Sequence, residues 1–369
     1  MIIEKIESIP LKIPLARPFP GSSYAYTEQA TIVTRVYGSG GLIGESYNND
    51  DFGCMADVVR IVTQEIAPLL QGRDARNVEA CWQAMLPVTK PALRDRRLGL
   101  FAMGCVDCAI WDLVGKSLNS PLYRLWGGYR DELPVIAIGG YYEEDKTIAD
   151  YSREMEEYTA LGIGGCKLKV GGLSPAEDAE RTRAARAAGG PGFTLAVDAN
   201  TAWSRAQALE FARATVDCDL RWFEEPCHWQ NDRMDMAELR KRIDVPICAG
   251  QSELTAAGCR DLMNAGAIDV CNIQVTWCGG PTAWRRVAGM AACYGVEMAH
   301  TGDSQFAPHL IASLPHGTCL EVYHPDRDPM FYSAVASTDD FRDGKYRLPD
   351  RPGWGLEIDE GLVSKYRMD

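Results

Sequence analysis

The hydrophobic positions of the chain follow two different patterns, which change near residue 130. Before it, Ala30–Val36 alternates between apolar and polar residues as a strand does, whereas Met55–Leu70, Val78–Met85 and Leu98–Leu118 have the apolar spacing of helices. Strands followed by helices favour a separate α+β unit over an alternating α/β one.

From Leu133 onward, short apolar runs rich in Val, Ile and Leu recur about every 25 residues, and helical stretches separate them. Eight such strands alternating with helices predict a parallel β/α barrel. The predicted strands are Val135–Ile138, Cys166–Val170, Thr194–Val197, Leu220–Phe223, Pro246–Ala249, Val270–Ile273, Val296–Ala299 and Thr318–Val322. The predicted helices include Ile148–Leu161, Pro175–Ala188, Arg205–Thr215 and Pro281–Tyr294.

No eighth long helix follows the last predicted strand, so we expect an α/β fold with a (β/α)7β modified TIM barrel. The predicted domains are an α+β unit over residues 1–130 and the barrel over residues 131–324. The segment 325–369, rich in Pro, Asp and Gly, is expected to return to the N-terminal unit.

Composition narrows the class of protein. The 369 residues carry a net charge of −13, which argues against nucleic acid and anionic membrane surfaces as partners. Residues 1–6 resemble a strand rather than a signal peptide, and no apolar run reaches the about 18 residues of a membrane span. The 13 cysteines are odd in number and lack disulfide spacing, which predicts a cytoplasmic protein.

Polar residues stand at the ends of four consecutive predicted strands. The spacing from Asp198 to Glu224 is 26 positions and from Glu224 to Gln251 is 27, one β/α unit each time. These side chains should therefore meet at one mouth of the barrel, where oxygen ligands suit Mg²⁺. Lys167 and Lys169 share one face of their strand, and two adjacent ammonium groups should lower the pKa of a lysine toward that of a useful base.

Four motifs in order make the chain similar to a known family. They are Cys166-Lys167-Leu168-Lys169-Val170-Gly171, Val197-Asp198-Ala199-Asn200, Trp222-Phe223-Glu224-Glu225-Pro226 and Trp277-Cys278-Gly279-Gly280. Together they resemble the mandelate racemase and acid-sugar dehydratase group of the enolase superfamily. The resemblance spans essentially the whole chain and makes the N-terminal unit a capping domain.

The resemblance implies a proton-abstracting enzyme for a small-molecule carboxylate, with Mg²⁺ held by Asp198 and Glu224 stabilising an enediolate. Lys169 would be the base, and Lys167 would hold its pKa and bind the carboxylate. His300 matches a histidine that acts from the opposite face of the substrate.

Further positions that match the family have binding roles. Asn200 would support the metal or bind substrate, and Glu321 would hydrogen-bond the substrate carboxylate. Substrate choice would come from capping-domain loops over residues 17–26 and 45–52, in which Tyr24 and Tyr47 are candidate substrate-binding residues.

Two positions depart from the family pattern. The third metal ligand is usually a Glu after a Gly on the fifth strand, but Gln251 stands there, and Glu253 has the same strand parity. The sequence leaves the choice between them open. Gln274 occupies the place of an Asp that orients the catalytic histidine, and a neutral side chain cannot stabilise an imidazolium as a carboxylate would. This places the acid–base role of His300 in question.

The leading hypothesis is dehydration of a polyhydroxy (sugar) acid. A racemase or epimerase of a hydroxy acid or amino acid derivative, with Lys169 and His300 as opposed bases, is the alternative. A barrel that has lost catalysis and only binds a ligand is the third hypothesis, because Gln251 and Gln274 are what such decay would produce. A homo-oligomer is also expected.

Overall fold

The computed structural model describes residues 1–368 and begins with an antiparallel sheet. Its strands are β1 (Ile3–Pro20), β2 (Ala25–Gly38) and β3 (Ile43–Asn49), in that order. Alternate side chains of β1 (Ile9, Leu11 and Ile13) are buried, as the two-residue repeat of a strand requires. The predicted strand Ala30–Val36 lies within β2.

Helices cover one face of this sheet. The predicted helix Met55–Leu70 is one continuous helical run: α1 (Met55–Arg60), a π-helical segment (Ile61–Ile66) and α2 (Ala67–Leu70). After it come α3 (Val78–Met85), a 3₁₀ turn (Leu86–Thr89), α4 (Arg96–Ser117) and α5 (Leu122–Leu125).

Helix α4 is the central helix of the molecule. A Cβ added at Gly44 would lie 2.1 Å from the carbonyl oxygen of Ala109, and one at Gly104 would lie 2.1 Å from that of Thr276. The two glycines therefore let α4 contact β3 on one side and the barrel on the other. This helix is long and apolar enough to cross a membrane by length and composition, but 89% of its apolar window is buried inside the protein.

Eight parallel strands form the barrel, as predicted. They are β4 (Glu132–Gly139), β5 (Gly165–Lys169), β6 (Thr194–Asp198), β7 (Phe223–Glu224), β8 (Ile247–Ala249), β9 (Val270–Cys271), β10 (Glu297–Met298) and β11 (Leu320–Val322). The ring closes because β11 pairs with β4, and because Met298 exchanges main-chain hydrogen bonds of 2.9 Å with His316 and Thr318 beside β11.

One helix follows each of the first seven barrel strands, which gives the predicted (β/α)7β order. They are α6 (Ile148–Ala160), α7 (Pro175–Gly189), α8 (Arg205–Ala214), α9 (Asp232–Arg240), α10 (Ala256–Asn264), α11 (Pro281–Tyr294) and the short α12 (Ala307–Ala312). The barrel interior is filled by Ile136, Ala196, Trp222, Cys248, Val270, Ala299 and Cys319. Its two thiols serve there as small apolar groups.

The C-terminal segment contacts both units. Strand β12 (Phe341–Arg342) pairs with β13 (Lys345–Arg347), and β13 extends the barrel sheet antiparallel to β4. After α13 (Pro329–Ala334) and α14 (Glu360–Tyr366), the main-chain N–H of Met368 donates to the oxygen of Pro10 in β1 at 2.9 Å. The predicted domain limits, 1–130 with 325–369 and 131–324, stay a prediction, and their last residue, Asp369, lies outside the described residues.

Candidate active site

The carboxyl ends of β5, β6 and β7 align the predicted site residues. In the strand register, Lys169 is paired with Asp198, and Asp198 is paired with Glu224. Beyond the strands the chain turns sharply, because Asn200 and Glu225 have φ angles of 44° and 39° in the left-handed region. Lys169, Asp198 and Glu224 therefore lie at the same height along the barrel.

Two lysines and three carboxylates form a buried cluster behind the barrel mouth. The Nζ of Lys167 lies 2.9 Å from Oε1 of Glu224, 2.7 Å from Oε2 of Glu321 and 4.0 Å from Oδ2 of Asp198. The Nζ of Lys169 donates to Oδ2 of Asp198 at 2.6 Å and to Oδ1 of Asn200 at 3.0 Å. Lys167, Asp198 and Glu224 are fully buried.

The expectation of a lowered lysine pKa is wrong for this arrangement. Burial alone would lower the pKa of Lys169, but Asp198 together with Tyr24, Tyr141 and Glu224 outweighs burial and raises the pKa well above the ordinary value. The pKa of Lys167 is also raised, because Glu224 and Glu321 outweigh its burial. Neighbouring carboxylates keep both lysines charged. The repulsion between the two ammonium groups has a smaller effect on their pKa values.

The cluster contains more carboxylates than ammonium groups. Counting Glu225, four carboxyl groups face two lysines, which leaves two negative charges when all are ionised. Burial accordingly raises the pKa of Glu224, and burial raises the pKa of Glu225 to about 7. Oε1 of Glu321 is buried without a hydrogen-bond partner. A divalent cation would offset this excess of negative charge, and carboxylate oxygens are the ligands that such a cation prefers.

Across residues 1–368 no three His, Cys, Asp or Glu side chains are already arranged as a metal site. Lys169 and Lys167 donate to one oxygen of each carboxylate, Oδ2 of Asp198 and Oε1 of Glu224. The other oxygens accept from the main-chain N–H of Asn200 and the indole N–H of Trp222.

The structure distinguishes the two candidates for a third metal ligand. Gln251 lies on the cavity wall, and its Nε2 donates to Oε2 of Glu225 at 2.6 Å. Glu253 instead accepts from Nη2 of Arg233 at 2.6 Å on the outer side of the loop and does not line the cavity. Strand parity fails as a guide for Glu253, because β8 has already ended at Ala249.

A cavity of about 350 Å³ opens above the cluster, between the barrel mouth and the N-terminal unit. The N-terminal unit contributes Phe19, Tyr24, Tyr26, Asn49, Asp51 and Arg97. The barrel contributes Lys169, Asn200, Glu225, Gln251, Gln274 and Asp303 among others.

Of the two tyrosines predicted to bind substrate, only Tyr24 lines the cavity. The Nζ of Lys169 lies 5.8 Å from the centre of the Tyr24 ring. The prediction for Tyr47 is wrong, because this side chain is fully buried in the core and its hydroxyl has no hydrogen-bond partner. Side chains of β3 alternate between two faces, and Tyr47 falls on the inner one.

His300 is not on the cavity wall, so the structure gives its predicted catalytic role no support. The ring is fully buried: Nε2 accepts the main-chain N–H of Val275 at 3.0 Å, and Nδ1 lies 3.2 Å from the carbonyl oxygen of Gly302. Burial lowers its pKa to about 4, so the ring is neutral and fixed in one tautomer. Both nitrogens are therefore used by the main chain.

Gln274 has a different partner from the one expected at its position. Its Nε2 donates to the carboxyl of Asp303, and its Oε1 accepts the main-chain N–H of Trp277 at 2.9 Å. Asp303 and Glu225 are not among the site residues predicted from the sequence. Two features of the sequence could have identified these residues. Glu225 stands within the Glu-Glu-Pro motif, and Asp303 lies shortly after the strand β10.

The chain is similar to known proteins over nearly its whole length. Residues 5–127 match the family model of the mandelate racemase / muconate lactonizing enzyme N-terminal domain, and residues 150–362 match the enolase C-terminal domain-like model. Arabinonate dehydratase of Saccharolobus solfataricus is 30% identical over 347 residues, which cover 91% of this chain and 90% of that protein.

Two further proteins extend the likeness over the whole chain. The 3,6-anhydro-alpha-L-galactonate cycloisomerase of Streptomyces coelicolor is 30% identical over 97% of each chain. The crystal structure of a mandelate racemase/muconate lactonizing enzyme from a marine actinobacterium, in complex with magnesium, is 48% identical. It covers 100% of this chain and 99% of its own, with a TM-score of 0.93.

Proposed function

The chain belongs to the mandelate racemase and muconate lactonizing enzyme family of the enolase superfamily, and from this premise we propose that it dehydrates a polyhydroxy acid. The reaction begins with removal of the proton next to the substrate carboxylate. The observation that supports it most strongly is Lys169, which lies on the cavity wall directly beside the predicted metal ligand Asp198.

Asp198 and Glu224 would hold Mg²⁺, with the amide oxygen of Gln251 as a third, uncharged ligand from the cavity wall. Mg²⁺, when bound, supplies positive charge that stabilises the negative charge developing on the substrate carboxylate. Lys169 is charged while it pairs with Asp198, so it must first leave that ion pair and give up its proton; the neutral amine then takes the α-proton. Lys167 and Glu321 lie behind the cavity wall, where Lys167 fixes the carboxylates in place.

The cavity suits a hydroxylated anion. Its polar groups include the hydroxyls of Tyr24 and Tyr26, the amide of Asn49 and the guanidinium of Arg97. Lys169 and Arg97 line the cavity beside three carboxyl groups, Asp51, Glu225 and Asp303, so a bound Mg²⁺ would supply the positive charge that lets a protein of net charge −13 take an anionic substrate.

Epimerisation by Lys169 and His300 is the weaker candidate, because both nitrogens of His300 contact main-chain groups. Dehydration needs a base and a proton donor to the leaving hydroxyl, and the cavity offers other groups for the second task. A barrel without catalytic activity is also a weaker candidate, because it gives no reason for the pairing of Lys169 with Asp198 beside the cavity.

We also propose a cytoplasmic homo-oligomer. All thirteen cysteines are free, in keeping with a reducing compartment. Trp229, between β7 and α9, and Met234, within α9, are 63% and 59% exposed, which would offer apolar surface to a second copy of the chain.

The test of this function is hydrogen exchange. The protein is incubated with Mg²⁺ and a panel of five- and six-carbon aldonic and aldaric acids in D₂O. Proton NMR follows loss of the α-hydrogen, and a keto-acid assay follows dehydration. We expect both signals for at least one acid, and loss of both by about 10²-fold to 10⁴-fold in Lys169→Ala, because proton transfer by a positioned base contributes that much.

Lys345→Ala is the matched control, since Lys345 is exposed and pairs only with Glu132 far from the cavity. Exchange without keto acid would favour the racemase. No exchange and no Mg²⁺ binding would favour the inactive barrel. Unchanged exchange in Lys169→Ala would contradict the role of Lys169.

A further inference from the structure

A buried carboxyl group on the cavity wall has no role in the reaction described so far. Asp303 lies in the segment after β10 and is 2% exposed. Its φ angle of 40° is in the left-handed region, which a residue other than glycine rarely adopts. Such backbone conformations persist where the surrounding structure imposes them, often at functional sites.

The groups around Asp303 hold one of its two oxygens. Oδ2 accepts from Nε2 of Gln274 and from Oγ1 of Thr276, the latter at 2.5 Å. Both donors are fixed from behind: Oε1 of Gln274 accepts from Trp277, and the hydroxyl of Thr276 accepts from Nδ2 of Asn48 at 2.8 Å. Oδ2 is therefore an acceptor only.

The second oxygen, Oδ1, has a single long contact, from Nε2 of Gln305 at 3.4 Å. That amide nitrogen is itself committed to the carbonyl oxygen of Tyr47 at 2.8 Å. A proton on the carboxyl belongs on Oδ1, because Oδ2 already receives two donors. The three atoms in contact with the carboxyl, Nε2 of Gln274, Oγ1 of Thr276 and Nε2 of Gln305, all act as donors to it, and Asp303 lines the cavity, so a ligand in the cavity can accept this proton.

Asp303 also lies across the barrel mouth from the base. Lys169 ends β5, whereas Asp303 follows β10, and β4 and β11 separate these two strands around the shorter side of the ring. Both side chains line the same cavity of about 350 Å³. A small acid bound in this cavity would have both groups on the wall around it.

We propose that Asp303 is the general acid of the elimination, donating the Oδ1 proton to the hydroxyl that leaves from the β-carbon of the substrate. The inference rests on the proposed dehydration and assigns to Asp303 the task that His300 cannot perform. It also narrows the substrate to acids with a hydroxyl on the carbon next to the one that loses its proton.

The step is balanced in atoms and electrons. The α-C–H bond breaks and its proton goes to the amine of Lys169, while the electron pair forms the C=C bond. The β-C–O bond breaks, and the departing oxygen takes the proton of Asp303 and leaves as water. The enol product becomes a 2-keto acid, and exchange with solvent returns Lys169 and Asp303 to their starting protonation states.

The protonation state of the group agrees with the geometry. Burial raises the pKa of Asp303 to about 7, and the like charges of Asp51 and Asp328 add to this, while hydrogen bonds from Thr276 and Gln305 oppose it. Arg97 also lines the cavity. The protonated form is thus available near neutral pH, and elimination should slow as the pH rises through about 7.

The experiment compares two rates in Asp303→Asn: α-hydrogen exchange in D₂O and keto-acid formation, both with Mg²⁺ and the acids that the wild-type protein dehydrates. We expect keto-acid formation to fall about 10²-fold to 10⁴-fold, and exchange to fall far less, because exchange requires only Lys169. Asp303→Glu should recover part of the elimination rate. The pH dependence near 7 should be absent from the residual elimination of Asp303→Asn.

Asp107→Asn is the matched control. Asp107 is also fully buried, has its pKa raised to about 7 by burial and accepts hydrogen bonds from a threonine, but it lies outside the cavity. Circular dichroism and thermal unfolding of each variant report whether the fold is kept.

Elimination by Asp303→Asn within threefold of wild type would overturn the inference, and so would an equal loss of exchange and elimination, which indicates a structural role. A wild-type protein that exchanges no α-hydrogen contradicts the proposed function itself, and the inference falls with it.

Discussion

Gln251 and Glu225 meet side chain to side chain on the cavity wall, with 2.6 Å between Nε2 and Oε2. Ser252 donates to the other oxygen of Glu225 at 2.6 Å. The amide of Gln251 therefore has two uses: its nitrogen donates a hydrogen bond to the buried carboxylate of Glu225, and its oxygen could coordinate a cation. A carboxylate at position 251 could coordinate the cation but could not donate to Glu225.

We predict that Gln251→Glu tightens Mg²⁺ binding and destabilises the protein without metal. The added charge increases the attraction for a divalent cation, by about tenfold or more in Kd, or about 1.4 kcal/mol. Without the cation, the new carboxylate would repel Glu225 across a hydrogen-bond distance. Calorimetric Mg²⁺ titration and thermal unfolding in EDTA measure the two effects.

Glu253→Gln is the control for this prediction. Glu253 pairs with Arg233 outside the cavity, so its neutralisation should leave Mg²⁺ affinity unchanged. A loss of affinity in this variant, together with no gain in Gln251→Glu, would make Glu253 the ligand instead.

At the scale of elements, the contact between α4 and the barrel positions part of the cavity wall. The absent side chain of Gly104 lets α4 approach the main chain of Thr276, whose hydroxyl donates to Asp303. From the same helix, Asp107 accepts the main-chain N–H and the hydroxyl of Thr282 at 2.8 and 2.9 Å, at the start of α11. Helix α4 thus holds the segment between β9 and α11 at two points.

We predict that Gly104→Ala destabilises the protein by about 1–3 kcal/mol, because the added Cβ would lie 2.1 Å from the oxygen of Thr276. This outweighs the gain of about 1 kcal/mol in helix propensity. Urea unfolding measures the change. Gly289→Ala in α11 is the control: its Cβ meets nothing within 4 Å, so this variant should be slightly more stable. Equal effects of the two substitutions would refute the packing argument.

The order of elements was predictable from sequence because apolar periodicity survives in each element. The helix over residues 55–70 and all eight barrel strands were found in this way. The strand ends were less predictable: the run Leu220–Phe223 becomes a strand only at Phe223. Arg221 and Trp222 already form main-chain hydrogen bonds with Leu195 and Val197 of β6, although the strand itself begins only at Phe223.

The directions of side chains in the loops after the strands could not be read from the sequence. Lys167, Lys169, Asp198 and Glu224 lie on or at the end of strands, where register fixes their direction. His300 and Glu253 follow the strand ends, where left-handed turns decide which way a side chain points. The pKa of Lys169 also depends on how many carboxylates converge on the lysine pair, which is a property of the folded barrel.

For the whole molecule, the boundary between the N-terminal unit and the rest contains buried carboxyl groups. Asp107 contacts Thr282, Asp328 accepts from Nε2 of Gln29 at 2.8 Å, and Asp303 is linked through Thr276 to the β3 residue Asn48. Burial raises the pKa values of Asp107 and Asp303 to about 7 and that of Asp328 to about 6.

We predict that, without metal, the free energy of unfolding falls as the pH rises from about 5 to 8. A carboxyl whose pKa is higher in the folded than in the unfolded chain binds its proton more tightly when folded. Its stabilising contribution is complete below the ordinary pKa and is lost as the pH rises through 6 to 7. Urea unfolding in EDTA at several pH values measures the slope, expected to be a few kcal/mol in total.

Asp107→Asn with Asp328→Asn should flatten that slope, since both groups then stop titrating. Exposed Asp339→Asn should not change it. Stability that increases with pH over this range would contradict the prediction.

The cavity wall is formed by two separate parts of the chain, and this division has an evolutionary consequence. The cavity wall is formed by residues 19–52 with Arg97 on one side and by residues 169–323 on the other. An acid bound with its reacting carbon beside Lys169 would therefore place its far end against the first group. Drift in the first stretch can therefore change which acid is accepted without moving the atoms that transfer protons. Diversification of such a lineage would accumulate in the N-terminal hairpin, and grafting that hairpin between relatives should exchange their preferences.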